Sequence, residues 1–286
     1  MEKNNPYQKI VVSGGGFAAL GCALACAHYD MAPILVRGKR GEVPLAARHE
    51  ASVLALSPAS KNMLARLGVW SFMKTKTRIE EIQIFGAGGG CVNPALLWEK
   101  NPDRSPFAYI VPASELYGAL CKKIDENKAI RQCYAMSESF SASAHGGRLV
   151  LEGGEVIETP LCLVAEGAKS RLRQTANIGV LQGSYGQYAM TALLAHEEER
   201  LIAAQAFLPT GPMALLPLAP KKSALIWSVK GAAFAGLREM APARFCRQVA
   251  EYFPKWGGFR LQSERGAFPL HFMLARQYVG KRLALI

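Results

Sequence analysis

Lys9-Ile10-Val11-Val12-Ser13-Gly14-Gly15-Gly16-Phe17-Ala18-Ala19-Leu20 is the stretch on which the fold turns. Ile10-Val11-Val12 is the apolar, β-branched run of a short buried strand, and three glycines follow it at once. Ala18 to His28, rich in Ala, Leu and Cys, reads as a helix, and Pro33-Ile34-Leu35-Val36 as a second buried strand. Strand, glycine turn, helix and strand in so short a span make a βαβ unit. Ile10 to Ala27 carries no charge, and Ala25-Cys26-Ala27 imitates a signal-peptidase site. Glycines at 14–16 nevertheless spoil a membrane-spanning or signal-peptide helix. The expectation is a turn and helix start at the carboxyl end of a parallel sheet.

Gly14, Gly16 and Ala19 match the spacing G-x-G-x-x-G/A in the strand-to-helix setting that gives it meaning. The first glycine permits the tight turn, and the second lets the backbone approach a pyrophosphate. The small third residue lets the helix pack on the sheet, with N–H groups at the helix start facing the phosphates. Gly14, Gly15, Gly16, Phe17, Ala18 and Ala19 are therefore candidate cofactor-binding residues, the alternative being a glycine-rich packing turn. The ribose carboxylate expected after the second strand is absent, because Arg37 and Gly38 stand there. An arginine suits a 2′-phosphate, as in NADP sites, or is a solvated strand end. Glu42 follows only beyond Gly41, in a loop.

The rest of the chain fits an α/β domain with a mostly β domain inserted. Its 286 residues, half of them apolar, exclude a disordered, collagen-like or coiled-coil chain. The net charge of +12 is concentrated late, with 13 basic against 3 acidic residues from Arg200 onward, and suits an anionic partner. Around Lys221-Lys222, Arg244 and Arg247 interleaved aromatics are sparse, so these residues read as a solvated face and not as a nucleic-acid or lipid-phosphate surface. Seven scattered cysteines (22, 26, 91, 121, 133, 162 and 246) hold no C-x-x-C pair; they indicate neither zinc nor a disulfide framework and fit a reducing, cytoplasmic setting. Cys22 and Cys26 share a helical face and read as core. Helices are expected over Ser60–Trp70, over Ala113–Ile124 with Ser114 as cap, and over Ala241–Tyr252. Gly86 to Gly90 reads as a hairpin connection. Ile130–Ala135, Arg148–Glu152 and Val156–Thr159 read as a small meander, and long alternating strands follow Tyr185. Phe207, Met213, Leu215 and Trp227 either line an apolar substrate pocket or form a sheet core; alternation allows both.

An ordered set of motifs now resembles a known family. After Gly14-Gly15-Gly16 come Ala55-Leu56-Ser57-x-x-Ser60, Leu67-Gly68-Val69-Trp70 and Tyr109-x-Val111-Pro112. Val164-Ala165-Glu166-Gly167-Ala168-x-Ser170-x-x-Arg173, Tyr185-Gly186-Gln187, Gly211 to Leu218, Trp227 and Phe268-Pro269-Leu270 continue it. Together they resemble the ubiquinone-biosynthesis hydroxylases, FAD-dependent class A monooxygenases similar to para-hydroxybenzoate hydroxylase. The resemblance implies a Rossmann-like FAD-binding domain of the GR2 type with an inserted, mostly antiparallel β substrate domain. It places the first in residues 1–75, 106–184 and 270–286, and the second in 76–105 and 185–269. It implies FAD as cofactor, NAD(P)H as electron donor and hydroxylation of a polyprenylated phenol, with no metal. It adds Glu166 and Gly167 as cofactor contacts. The setting it implies is cytoplasmic, peripheral to the inner membrane, beside other quinone-pathway proteins.

Departures accompany the resemblance. Glu166 replaces the family's Asp, and Glu50-Ala51-Ser52 stands where relatives carry Asp-x-Arg, with Arg48 nearby. Arg282-Leu283-Ala284-Leu285-Ile286 resembles the strand that leads, in relatives, into a Gly-Asp segment, so the chain reads as shortened, and weakened FAD binding is expected. Two other readings stay open: a noncatalytic member that binds lipid or partner hydroxylases, and a plain NAD(P)-binding oxidoreductase supported by Arg37.

Overall fold

A computed structural model describes residues 9–39, 42–86, 93–99 and 105–286. The Val11–Ser13 strand runs parallel to Ile34–Arg37 on one side and to Cys162–Val164 on the other. Leu283–Leu285 and Arg131–Tyr134 extend this parallel sheet, and Val279–Gly280 adds an antiparallel edge. The helix Phe17–His28 crosses between the first two strands, as the βαβ reading requires. All residues of the first two strands are buried, so both faces of the sheet are covered. On one face Val12 and Leu35 pack with Leu20 and Leu24 of that helix and with Leu116, Leu120 and Ile124 of the helix Ala113–Glu126. On the other, Val11, Ile34 and Val164 meet Leu149, Leu151 and Ile157 of a three-stranded meander.

That meander is Ser137–Ala142, Gly147–Leu151 and Val156–Thr159. The expected first member, around Ile130–Ala135, belongs to the parallel sheet instead, because Arg131–Tyr134 pairs with Ile34–Arg37. Pro112, not Ser114, occupies the cap position of the helix that follows, with no side-chain cap. Gly86 ends the Ile82–Phe85 strand, while Gly88 to Gly90 lie outside the described residues.

The second sheet has the order Phe259–Leu261, Val180–His196, Lys222–Lys230, Gly211–Ala219, Ala203–Leu208, Ile82–Phe85, Leu96–Trp98, with Gly266–Ala275 also paired to the long second member. Its pairs are antiparallel apart from Ala203–Leu208 with Ile82–Phe85. Helices Gly231–Glu239 and Pro242–Tyr252 cover one face, and Phe245, Val249, Phe253 and Trp256 sink into it. The opposite face is closed at one end by a three-stranded sheet of Val53–Leu56, Ala108–Pro112 and Thr77–Ile79, where Ile79 and Ile110 meet Ala203 and Leu216. No helix among the described residues is long and apolar enough to cross a membrane.

One buried histidine ties this sheet together. His196 Nδ1 lies 2.8 Å from the carbonyl oxygen of Glu198, which only accepts, so Nδ1 carries the proton. Nε2 then accepts from Ser223 Oγ at 3.0 Å. Burial, aided by the charges of Arg200 and Lys221, holds this imidazole below its ordinary value of 6.5. The unfolded chain therefore binds a proton near pH 6.5 that the folded chain refuses, and stability declines as pH falls below that value. Urea unfolding at about pH 7.5 and about pH 5.5 should show a drop that His196→Gln makes shallower.

Candidate dinucleotide site

At the carboxyl end of the parallel sheet the first strand turns through Gly14, whose φ is +137°. A β-carbon there would run into the carbonyl oxygen of Ala165 and lie 3.2 Å from the Ala19 methyl. Gly14 and the small, fully buried Ala19 are thus demanded by the protein's own packing. Gly16 is different. It caps the helix in an extended conformation, and a β-carbon there would meet nothing within 4 Å. Gly15 would meet only the Arg37 β-carbon, at 3.6 Å. The helix that starts at Phe17 has no side-chain cap and no acidic residue in its first turn. Two glycines that the fold itself does not require, beside a helix start bare of negative charge, form a cradle that fits a pyrophosphate.

Glu166 stands next to this turn, but its carboxylate faces inward. Ser13 Oγ donates to Oε1 at 2.6 Å, while Ser170 Oγ and the Leu172 N–H donate to Oε2 at 2.7 and 3.1 Å. Ser13 also shares a 2.7 Å hydrogen bond with Ser137 of the meander. Glu166 is therefore a strut between strand ends beside the turn. Gly167 follows with φ +76°, which turns the loop toward the short helix Arg171–Thr175. Ser170 caps that helix by accepting from the Arg173 N–H, and Arg173 reaches back to the Ala168 carbonyl at 3.3 Å. The polar members of this motif build the loop.

Arg37 is neither a solvated strand end nor a free phosphate ligand. It is 8% exposed, and its guanidinium donates to Tyr117 Oη at 2.9 Å and lies 3.6 Å from Cys121 Sγ. Tyr117 in turn donates to the Glu42 carbonyl at 2.9 Å. Sequence reading missed Ser13, Ser137 and Tyr117. A serine closing an apolar strand just before the glycines was the available signal for the first.

The expected pocket residues divide between two faces. Met213 pairs with Ala206 and with Trp227, so all three share a face, and Met213, Leu215 and Trp227 are buried beneath the Pro242–Tyr252 helix. They form core, not pocket wall. Phe207 is one residue out of phase with Ala206 and lies on the opposite face, 47% exposed. Thr191, Ile226, Ala214 and Gln205 form one row across that same face, beyond the part closed by the small sheet. Cys22 and Cys26 lie on the first helix, the latter buried, and no metal-holding cluster occurs among the described residues.

This architecture is the fold of FAD-dependent monooxygenases. PqsL of Pseudomonas aeruginosa, described as a probable FAD-dependent monooxygenase, superposes with a TM-score of 0.79 at 14% identity, over 97% of this chain and 77% of its own. The flavin-dependent monooxygenase PieE, solved with FAD and substrate, gives 0.69 at 15% identity, over 97% and 52%. In sequence the chain is a relative of the ubiquinone-biosynthesis hydroxylases. It is 26% identical over 282 residues to ubiquinone hydroxylase UbiL of Rhodospirillum rubrum, covering 97% of this chain and 65% of that protein. It is 30% identical over 250 residues to the mitochondrial ubiquinone biosynthesis monooxygenase COQ6 of Danio rerio, covering 78% and 50%. With 3-demethoxyubiquinol 3-hydroxylase of Escherichia coli it shares 28% over 293 residues, covering 99% and 73%. The chain thus spans between half and two thirds of the length of UbiL and COQ6. No protein-family model matches it.

Two glycine substitutions should separate packing from ligand approach. Gly14→Ala, which meets the Ala165 carbonyl at a positive φ, should destabilise the fold by about 2 kcal/mol or more. Gly16→Ala should cost less than about 1 kcal/mol. Chemical denaturation of both variants against the parent checks the contrast.

Proposed function

We propose that this chain is an FAD-dependent aromatic-ring hydroxylase acting on a polyprenylated phenol of ubiquinone biosynthesis, with NAD(P)H as electron donor. The observation that carries this reading is the open cradle at Gly15 and Gly16, in a chain related to ubiquinone hydroxylases along almost its whole length. The N–H groups of Gly15 to Ala19 hold the FAD pyrophosphate in this reading, and Ser13, Glu166 and Ser170 keep the turn in place. Bound FAD supplies the oxygen chemistry. What the protein adds is position and the exclusion of water.

The row Thr191, Ile226, Ala214 and Gln205, with Phe207 beside it, is the floor on which an apolar ring and its prenyl tail rest in this reading. Its apolar members offer area, and the half-buried Gln205 offers a polar handle that orients a phenol. A prenylated substrate resides in lipid. The net charge of +12 supports contact with an anionic membrane surface, from which such a substrate is taken.

Opposite outcomes at neighbouring positions test the floor. Ala214→Trp should leave FAD titration and thermal stability close to the parent and abolish phenol-dependent NAD(P)H oxidation. Met213→Ala, on the helix face, should instead cost about 2–5 kcal/mol of stability. Absence of flavin binding by the parent chain, measured as quenching of FAD fluorescence, would refute the reading.

A further inference from the structure

We infer that Glu42 supplies the carboxylate that accepts the hydroxyls of the adenosine ribose, in place of the residue at the end of the second strand. The inference rests on the FAD reading above. A ribose presents vicinal hydroxyl donors, and an ionised carboxylate accepts both; a guanidinium accepts neither. Arg37 occupies the strand end and is turned toward the helix Ala113–Glu126, where Tyr117 and Cys121 engage it.

Glu42 returns to the place that Arg37 leaves. Its N–H donates to the Lys39 carbonyl at 3.1 Å, and its own carbonyl accepts from Tyr117 at 2.9 Å. The guanidinium of Arg37 donates to that same Tyr117 oxygen. One relay, Arg37 to Tyr117 to the Glu42 backbone, thus positions Glu42. Its outcome is visible at Gly38, the residue just past the strand. A β-carbon there would lie 2.6 Å from Glu42 Oε2 and 3.3 Å from Met136 Sδ. The carboxylate therefore lies over the carboxyl end of the second strand, and Gly38 leaves it room. Met136, 42% exposed, follows the Arg131–Tyr134 strand that neighbours the second one. It offers an apolar surface for an adenine on the side away from the first strand. Gly15 approaches the Arg37 β-carbon, so the pyrophosphate turn and this carboxylate flank the same strand end.

Charge sets the specificity. A ribose with free hydroxyls donates to Glu42, whereas a 2′-phosphate brings negative charge against it. Arg37 in this arrangement is a positioning residue, and the NADP preference that its presence invites is reversed.

The test is FAD titration by flavin fluorescence, with ADP and 2′-deoxy-ADP as competitors, on the parent chain and on Glu42→Gln. Glu42 is exposed, so the variant should keep the parent's melting temperature. Glu42→Gln should weaken FAD about tenfold, and the parent should prefer ADP over 2′-deoxy-ADP by a similar factor that the variant loses. Adenosine 2′,5′-bisphosphate should compete poorly against the parent and better against the variant. Equal FAD affinity in the two proteins would overturn the role of Glu42 while leaving the FAD reading intact. No FAD binding by the parent would overturn both.

Discussion

The close approach of Gly14 to the carbonyl of Ala165 fixes the geometry on which the site depends. Three strand ends are stitched at this point. The Gly14 N–H donates to Val36 at 2.8 Å, and the Ala165 N–H donates to Ser13 at 2.7 Å. With its backbone groups bound on both sides, the turn has one way to leave the sheet. The helix from Phe17 is launched over the face that Ala19, Leu20 and Ala23 bury. A methyl group at position 14 would push apart the first strand and the Glu166 loop together. The position of the Gly14–Gly16 turn is thus a consequence of strand packing.

Charged residues at the two other motif positions act inward. Glu166 takes three donors and Arg37 takes a phenol and a thiol, so neither side chain is left without partners at the sheet end. A charge drawn out of water without such partners is costly, and fixed neighbours hold both the buried Arg37 and the half-buried Glu166. Glu166 carries one methylene more than an aspartate would at this place. That reach spans from Ser13 on the first strand to the start of the Arg171–Thr175 helix.

Local pattern made the strand–turn–helix unit, the buried second strand and the late alternating strands legible, because each depends on neighbours close in sequence. What failed depends on distant partners. Arg131–Tyr134 has the mixed polar and apolar texture of a half-solvated meander strand, and only its pairing with Ile34–Arg37 assigns it to the parallel sheet. Alternation in Gly211–Ala219 separates two faces but does not say which is covered. The deciding helices, Gly231–Glu239 and Pro242–Tyr252, come later in the chain. Met213, Leu215 and Trp227 therefore read equally well as wall or core until the helices are placed. Of the dinucleotide fingerprint, the glycine spacing was legible. The direction of the Arg37 side chain was not, since it is set by Tyr117 on a helix far along the chain.

The same strand belongs to both halves of the molecule. Val180–Ser184 pairs with His271–Ala275, and Ala275 packs with Leu172, Ile178 and Val164 behind the parallel sheet. Between Ser184 and Tyr188 the register shifts, around Gly186 with φ +64°. Beyond that irregularity the strand continues as Ala189, Thr191 and Leu193, also buried, on the face away from the helices and Met190, Ala192 and Leu194 in the core under the helices. That face is closed on this side by Ala51, which packs on Leu193 and Ala224. A pleated strand cannot rotate one part of its length without disturbing its ladder elsewhere, and the 17-residue run is paired along most of both edges. The distance between the Gly14–Gly16 turn and the row Thr191, Ile226, Ala214 and Gln205 is therefore held by backbone hydrogen bonds, and the irregularity at Gly186 is the place where that rigid connection is interrupted.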